Sequence, residues 1–260
     1  MTRLAVTAIK GFALRHPASV TLTGTGAVGN REFLLVDEDD ELLSVTRSGA
    51  FLPYWSTFDP AGGTLTIGRG RKTVLSAPAR PGRPVRAHLF GDRFVEGVRV
   101  DGPWQEVLSA IAGQPVRLVR AREPSGGYDV HPVTVMAQAS AAALGTERDG
   151  SALDGRRFRM LLTVDGLDAF GEDRWEGTEV TVGSATLRIG GPVPRCAAIQ
   201  RHPDDPGRAV NALRRINEVR GPQPSESGRT LNLGVYATVS VPGTVSVGDP
   251  LLPVPVTTSP

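Results

Sequence analysis

Gly191-Pro192-Val193-Pro194-Arg195-Cys196-Ala197-Ala198-Ile199-Gln200-Arg201-His202-Pro203 holds the one cysteine of the chain and sets it between two arginines. Pro192 and Pro194 stiffen the approach and remove two amide donors, which suits a fixed, exposed turn better than the middle of a packed sheet. Just upstream, Thr178 to Val182 and Ala185 to Ile189 read as two strands joined at Gly183-Ser184, so a hairpin leads straight into the cysteine turn. A thiolate is both a nucleophile and a soft metal ligand, and neighbouring cations such as Arg195 and Arg201 favour it. One thiol makes neither a disulfide nor a four-cysteine zinc site. The plainer alternative is a buried cysteine acting as a small apolar filler.

Outward from that turn, composition points to strands. Among 260 residues there are 31 glycines, 21 prolines and only 5% aromatic residues, and many short Val, Leu and Thr runs lie between turn residues. The length allows one large domain or two smaller ones, and two is the expectation. A formal charge of +2 with no block of five or six basic residues argues against nucleic-acid binding. Lysine occurs only at Lys10 and Lys72, so nearly every basic side chain is an arginine, the better fork for oxyanions. The apolar run Leu4 to Ile9 is too short for a secretory core, and no stretch reaches the ~18 residues of a membrane span. The expectation is a cytoplasmic protein with a reduced thiol.

From Met1 to about Phe94, the runs Leu4 to Ile9, Val20 to Thr23, Glu32 to Val36, Leu42 to Thr46, Thr64 to Gly68 and Thr73 to Ser76 predict a small antiparallel β domain. Asp37-Glu-Asp-Asp-Glu41 reads as a hairpin loop. Gly24-Thr-Gly26-Ala-Val-Gly29 spells a dinucleotide fingerprint. It should open a helix, whereas Arg31 to Val36 is β-like, so no dinucleotide site is expected. A helix is predicted from Pro103 to Ala112, capped by Asp101 or Gly102, with Val107, Leu108 and Ile111 as its stripe. The strand Val116 to Val119, the loop Arg122 to Tyr128 and the strand His131 to Met136 follow, and Ser140 is placed as the cap of a short alanine-rich helix.

Asp154-Gly-Arg156-Arg157-Phe158-Arg159-Met-Leu-Leu-Thr-Val164, read as a strand, places Phe158, Met160, Leu162 and Val164 on one face and Arg157, Arg159 and Thr163 on the other. Paired guanidinium forks suit a phosphate, and a solvated polar face fits the same spacing. A helix starting at Asp204, Asp205 and Pro206 carries Val210, Leu213, Ile216 and Val219. The four histidines, His16, His88, His131 and His202, are too scattered for a metal site. Serine-hydrolase, zincin and P-loop motifs are absent from the sequence.

With Asp154 to Arg159, Glu172 to Trp175, Arg195-Cys196 and the closing Gly234, Tyr236, Pro242-Gly243 and Val247 to Asp249 in this order, the second half resembles the MOSC domain, the module named for the molybdenum cofactor sulfurase C-terminus. The first half resembles the β-barrel domain that often precedes it, through Gly26 to Arg31 and the hairpin ending at Thr46-Arg47. The resemblance implies a mainly β fold of two β-barrel-like domains with a few short peripheral helices. It implies residues 1–95 as the N-terminal MOSC-associated β domain, 96–115 as the connecting helix, 116–255 as the MOSC β barrel and 256–260 as a tail. It implies a cofactor cleft between Arg31 and the Arg157, Arg159 and Cys196 elements. Cys196 becomes the candidate molybdenum ligand and catalytic residue. Arg157, Arg159 and Arg31 become candidates for holding the cofactor, molybdopterin with its molybdenum, and Arg15, Arg195 and Ser140 complete the set. Met160-Leu161 stand where relatives carry Pro-Asn, and Ala13 to His16 where many carry Pro-Val-Lys-Ser, with Arg15 supplying the lysine charge. As in the amidoxime-reducing members of the family, the implied function is reduction of N-hydroxylated or N-oxygenated compounds. Electrons would come from a separate flavin, haem or iron–sulfur protein. The alternative is a sulfur carrier or cofactor-binding module with a persulfide on Cys196. A pyridoxal-phosphate enzyme is not expected, because both lysines lie in the first half. The sequence leaves the oligomeric state open.

Overall fold

A computed structural model of the chain describes residues 1–147, 150–205, 207, 209–225 and 228–254. The fold is mainly β. Alternation in the sequence is alternation in burial: along Glu179–Val182, Val180 and Val182 point inward while Thr181 faces water. That strand belongs to a seven-stranded curled sheet ordered Arg3–Leu4, Leu162–Val164, Val133–Ala137, Asn232–Val241, Ala185–Pro194, Glu179–Val182 and Leu251–Pro253. Neighbours are antiparallel except Val133–Ala137 beside Leu162–Val164, whose parallel pairing needs the crossover that Gln138–Ala142 and the following turns supply.

A second, four-stranded sheet runs Phe33–Val36, Arg117–Ala121, Arg93–Asp101 and Arg80–Phe90, and a meander of Tyr54–Asp59, Thr64–Arg69 and Lys72–Pro78 packs with it. Arg80–Phe90 tolerates Pro81 and Pro84 because it is the edge strand, with its register shifting between the two prolines. The long hairpin and Tyr54–Asp59 were not foreseen in the apolar runs. Leu42 to Thr46 is not a strand: Leu42 bridges Val36 and donates its amide to the His88 carbonyl, Leu43 donates to the Leu35 carbonyl, and the pairing stops there with Leu43 and Val45 buried. Gly24 to Gly29 forms a turn and the two-residue strand Gly26–Ala27, with no helix after it.

Strand pairing crosses the boundary drawn at residue 95 in both directions. Arg3–Leu4 pairs with Leu162–Val164, and Ser19–Thr23 pairs with Gly243–Ser246. Leu4, Val20, Leu22 and Ala27 are therefore buried with Val133, Val135, Leu187 and Val245 in one core. In the other direction, Arg117–Ala121 lies between Phe33–Val36 and Arg93–Asp101, a strand that itself straddles that boundary. The helix Trp104–Ala112 packs Trp104 and Leu108 into the first half's core, and Gly113 ends it in a left-handed conformation. Pro103, not Asp101 or Gly102, occupies its N-cap position. No helix among the described residues is long and apolar enough to cross a membrane. The tail at 256–260 lies outside the described residues.

Three local readings are corrected. Asp154 to Phe158 is not a strand. Asp154 accepts from the Arg156 amide and starts the 3-10 turn Gly155–Phe158, Arg159 follows at φ 55, and only Leu162–Val164 is extended. Ser140 caps nothing: the helix Gln138–Ala142 begins at Ala137, and Ser140 is buried inside it, donating to Glu172 Oε2 at 2.8 Å and accepting from the Phe170 amide at 2.7 Å. The last helix is Ala212–Arg220, capped by Asn211, with Val210 and Ile216 buried and Val219 exposed. Its expected start at Asp204 and Asp205 is not helical, and Pro206 lies outside the described residues.

Candidate functional site

The strand Ala185–Pro194 loses register with Asn232–Val241 at Pro192 and again at Pro194, where the missing amides break the ladder, and the chain leaves the sheet. Cys196 then begins the 3-10 turn Ala197–Gln200 and is exposed. Two arginines fix this turn from opposite sides. Behind it, the buried Arg157 guanidinium donates through Nη1 to the carbonyls of Ile199 at 3.1 Å, Gln200 at 3.3 Å and Arg201 at 3.3 Å, and through Nη2 to Glu147 Oε1. Burial favours a protonated Glu147, but the Arg157 hydrogen bond and charge hold its carboxyl below the usual range. In front, Arg201 donates to the carbonyls of Val45 at 2.8 Å and Thr46 at 3.2 Å, tying the turn to the first half of the chain. The Thr46 hydroxyl lies 3.6 Å from Cys196 Sγ.

The thiol opens into a cleft of about 530 Å³ between the two halves. Lys10, Leu42 to Thr46, Leu89 and Phe90 line one side, and Asp129 to His131, Phe158 to Met160, Val193 to Cys196 and Tyr236 the other. Lys10, Arg31, Arg159 and Arg195 bring positive charge to it, against Asp129 as the one carboxylate among the described lining residues. Lys10 Nζ donates to Asp129 Oδ1 at 2.6 Å and to the Gly127 carbonyl at 2.8 Å. Arg31 donates to the Arg159 carbonyl at 3.3 Å, and Arg159 to the Phe12 carbonyl at 2.7 Å. Arg195 reaches the Phe158 carbonyl and leaves its buried Nε without a hydrogen-bond partner.

Burial of charge in a concave site shows in the titration of these groups. Burial pushes Lys10 down to about 8 despite Asp129, and pushes Arg159 down to about 9 with help from the Arg31 charge. Arg195 is pushed down to about 10, mainly by burial. Burial works to raise Asp129, yet Lys10 and then Arg31 hold it at about 2. Burial and the Asp129 charge push Tyr236 up to about 12, so it stays a neutral hydroxyl. Lys10, Arg159 and Arg195 remain protonated at neutral pH, and an anion bound here would offset the cost of burying their charge.

Of the residues singled out in the sequence, Arg31, Arg157, Arg159, Arg195 and Cys196 line this cleft. The Arg157 side chain is 0% exposed and committed to Glu147 and the cysteine turn, so it supports the site from behind. Arg15 is exposed and outside the lining, its backbone bridged to Val6; the cation that enters the cleft from the first segment is Lys10. Ser140 is buried away from the cleft. His202 lies outside the lining too, its Nδ1 accepting from the Asp204 amide at 3.2 Å. Asp154, His202 and Asp204 come together, but Arg156 bonds both carboxylates and occupies the oxygens a cation would need. Lys10, Asp129 and His131 were missed as site residues. The one signal for Lys10 was its rarity in an arginine-rich chain.

The MOSC domain family matches residues 88–252. The chain is 23% identical to human mitochondrial amidoxime-reducing component 1, covering 87% of this chain and 73% of that protein. It is 26% identical to the mouse protein of the same name, covering 87% and 72%. Among solved structures it resembles the YuaD protein of Bacillus subtilis at 13% identity and a TM-score of 0.47, covering 96% of this chain and 91% of that one.

Proposed function

The chain belongs to the MOSC domain family, and from that premise we propose that it binds a molybdenum cofactor and reduces N-hydroxylated or N-oxygenated compounds. Electrons come from a separate flavin, haem or iron–sulfur donor protein. The observation that carries this reading is the cleft itself, where an exposed thiol stands among Lys10, Arg31, Arg159 and Arg195. These residues fit a pterin cofactor with a terminal phosphate. A soft metal takes a thiolate, the cation excess takes the phosphate, and the orphaned Arg195 Nε offers a sheltered donor to a polar ring edge.

Cys196 would hold the metal, and Arg31, Arg159, Arg195 and Lys10 the anionic part. When bound, the cofactor supplies two-electron redox chemistry that the protein side chains lack. The net reaction breaks the N–O bond, consumes two electrons and two protons, and releases water and the reduced nitrogen compound. Arg201 and Arg157 keep the cysteine turn fixed during this exchange. Lys10 Nζ holds a proton at neutral pH inside the cleft, and Phe158, Met160 and Ile199 keep the wall near the thiol apolar. An exposed free thiol needs a reducing compartment, so a cytoplasmic location is part of the proposal.

The test is metal and pterin analysis of protein made in a cofactor-producing host, with benzamidoxime reduction by a chemical donor, comparing wild type and Cys196→Ala. Wild type should carry molybdenum and turn over, and the variant should lose both. Wild type that carries no more molybdenum than the variant and reduces nothing overturns the reading. A reductant-sensitive sulfur adduct on Cys196 without molybdenum would favour the sulfur-carrier alternative.

A further inference from the structure

The cleft has a second lining chemistry, apolar and apart from the thiol and the cations assigned above to the cofactor. Phe90 is 46% exposed and Val130 39% exposed, and both line the cleft although they come from opposite halves of the chain. Leu42 and Leu89 extend the same surface. Phe90 ends the edge strand of a long hairpin whose partner strand begins at Arg93. Arg93 Nε donates to the Asp129 carbonyl at 3.1 Å, and its guanidinium lies 5.0 Å from the centre of the Tyr128 ring. The hairpin tip is thus pinned to the segment that carries Val130. Two large apolar side chains left open to water and held in fixed positions on one cleft mark a binding surface.

We propose that Phe90 and Val130 are specificity-determining residues that receive the apolar, aromatic body of the substrate, while its N–O end lies toward Cys196. The inference rests on the function proposed above and adds the substrate class: aryl amidoximes and aryl hydroxylamines ahead of small aliphatic ones. The occupant is a substrate rather than a protein because Phe90 and Val130 line the same concave cleft as Cys196. A ring on Phe90 gains edge or offset contact, and Arg93 removes the entropy cost of ordering the tip.

The experiment compares benzamidoxime with acetamidoxime, which carries the same reacting group without the ring, in wild type, Phe90→Ala, Val130→Ser and Arg93→Gln. Affinity is measured by calorimetry on the protein as purified, and kcat/KM on cofactor-loaded protein. Wild type should bind benzamidoxime about tenfold more tightly than acetamidoxime, as one aromatic contact warrants. Phe90→Ala should bring that ratio below about threefold, Val130→Ser and Arg93→Gln should lower it by smaller amounts, and the kcat/KM ratios should follow through KM. An unchanged ratio in Phe90→Ala overturns the inference, as does a change in self-association without a change in the ratio. Because Phe90 is half open on a hairpin tip, its loss should leave folding intact, and the circular dichroism spectrum checks this. If neither compound is turned over but the affinity ratio responds as expected, the redox reading fails and the apolar subsite stands.

Discussion

Replacing Arg157 by methionine removes a guanidinium that is 0% exposed and leaves Glu147, 2% exposed, without its counter-charge. It also strips a donor from three successive carbonyls of the cysteine turn, Ile199, Gln200 and Arg201. Breaking a buried ion pair from one side costs about 3–5 kcal/mol. At about 2–4 °C per kcal/mol for a chain of this size, Tm at neutral pH should fall by roughly 6–20 °C. The pH dependence should change sign as well. In wild type the lowered Glu147 value adds stability that is present above the ordinary carboxylate range and is lost as pH falls through the native value. In the variant the Asp154 amide and the His202 charge still oppose burial, but without Arg157 the Glu147 value should rise, and the protein should recover part of its loss on going from about pH 7.5 to about pH 5. Thermal unfolding followed by circular dichroism at the two pH values reads both effects. Arg157→Met combined with Glu147→Leu should regain most of the stability, since an apolar pair of similar volume is often neutral or better. A variant within ~2 °C of wild type at both pH values, well inside the effect of a single kcal/mol, would refute the clamp.

Lys10 titrates near 8, so phosphate affinity of the cofactor-free cleft should fall as pH rises through that value, and Lys10→Met should flatten the profile measured by calorimetry. Gly234 sits at φ 75 with a would-be Cβ 2.5 Å from Met160 Cε and 2.7 Å from the Val135 carbonyl. Gly234→Ala should therefore cost about 3 kcal/mol in urea unfolding, from backbone strain and overpacking together. Arg201→Ala loses two charge-assisted bonds to Val45 and Thr46 at a partly exposed site, and should cost about 1–2 kcal/mol. Its sharper signature is faster amide exchange over residues 42–47 with no change in Asn232–Val241.

What the sequence made legible was local. The Trp104–Ala112 helix follows from its apolar spacing and the proline before it, and the hairpin of Glu179–Val182 and Ala185–Pro194 follows from two short apolar runs joined at Gly183-Ser184. The cysteine turn was readable from Pro192 and Pro194, because missing amides act wherever they occur. The stretch from Arg157 to Val164 misled because both a strand and a turn bury Phe158, Met160 and Leu162. The left-handed Arg159 that separates the two cases leaves no mark on hydrophobic spacing. Lys10 looked like an interruption in an apolar run because its partner Asp129 is distant in sequence. Arg157 matched a phosphate-binding pattern, but its burial beside Glu147 comes from tertiary packing that single-chain periodicity does not encode.

The pairing of Val20 with Val245 has a kinetic consequence. Ser19–Thr23 must find Gly243–Ser246, and Arg3–Leu4 must find Leu162–Val164, so both pairings of the early segment are contacts of high sequence separation. Such closure is slow, and it leaves the edges of Leu162–Val164 and Gly243–Ser246 open while it waits. During that interval Cys196 and its turn can already exist, but Lys10 and Arg31, carried by the early segment, are not yet opposite them. Anion capture by the cleft therefore reports that the two ends of the chain have met. A variant that delays this meeting should show itself first as a slow phase in the gain of phosphate binding, after most of the β signal has formed.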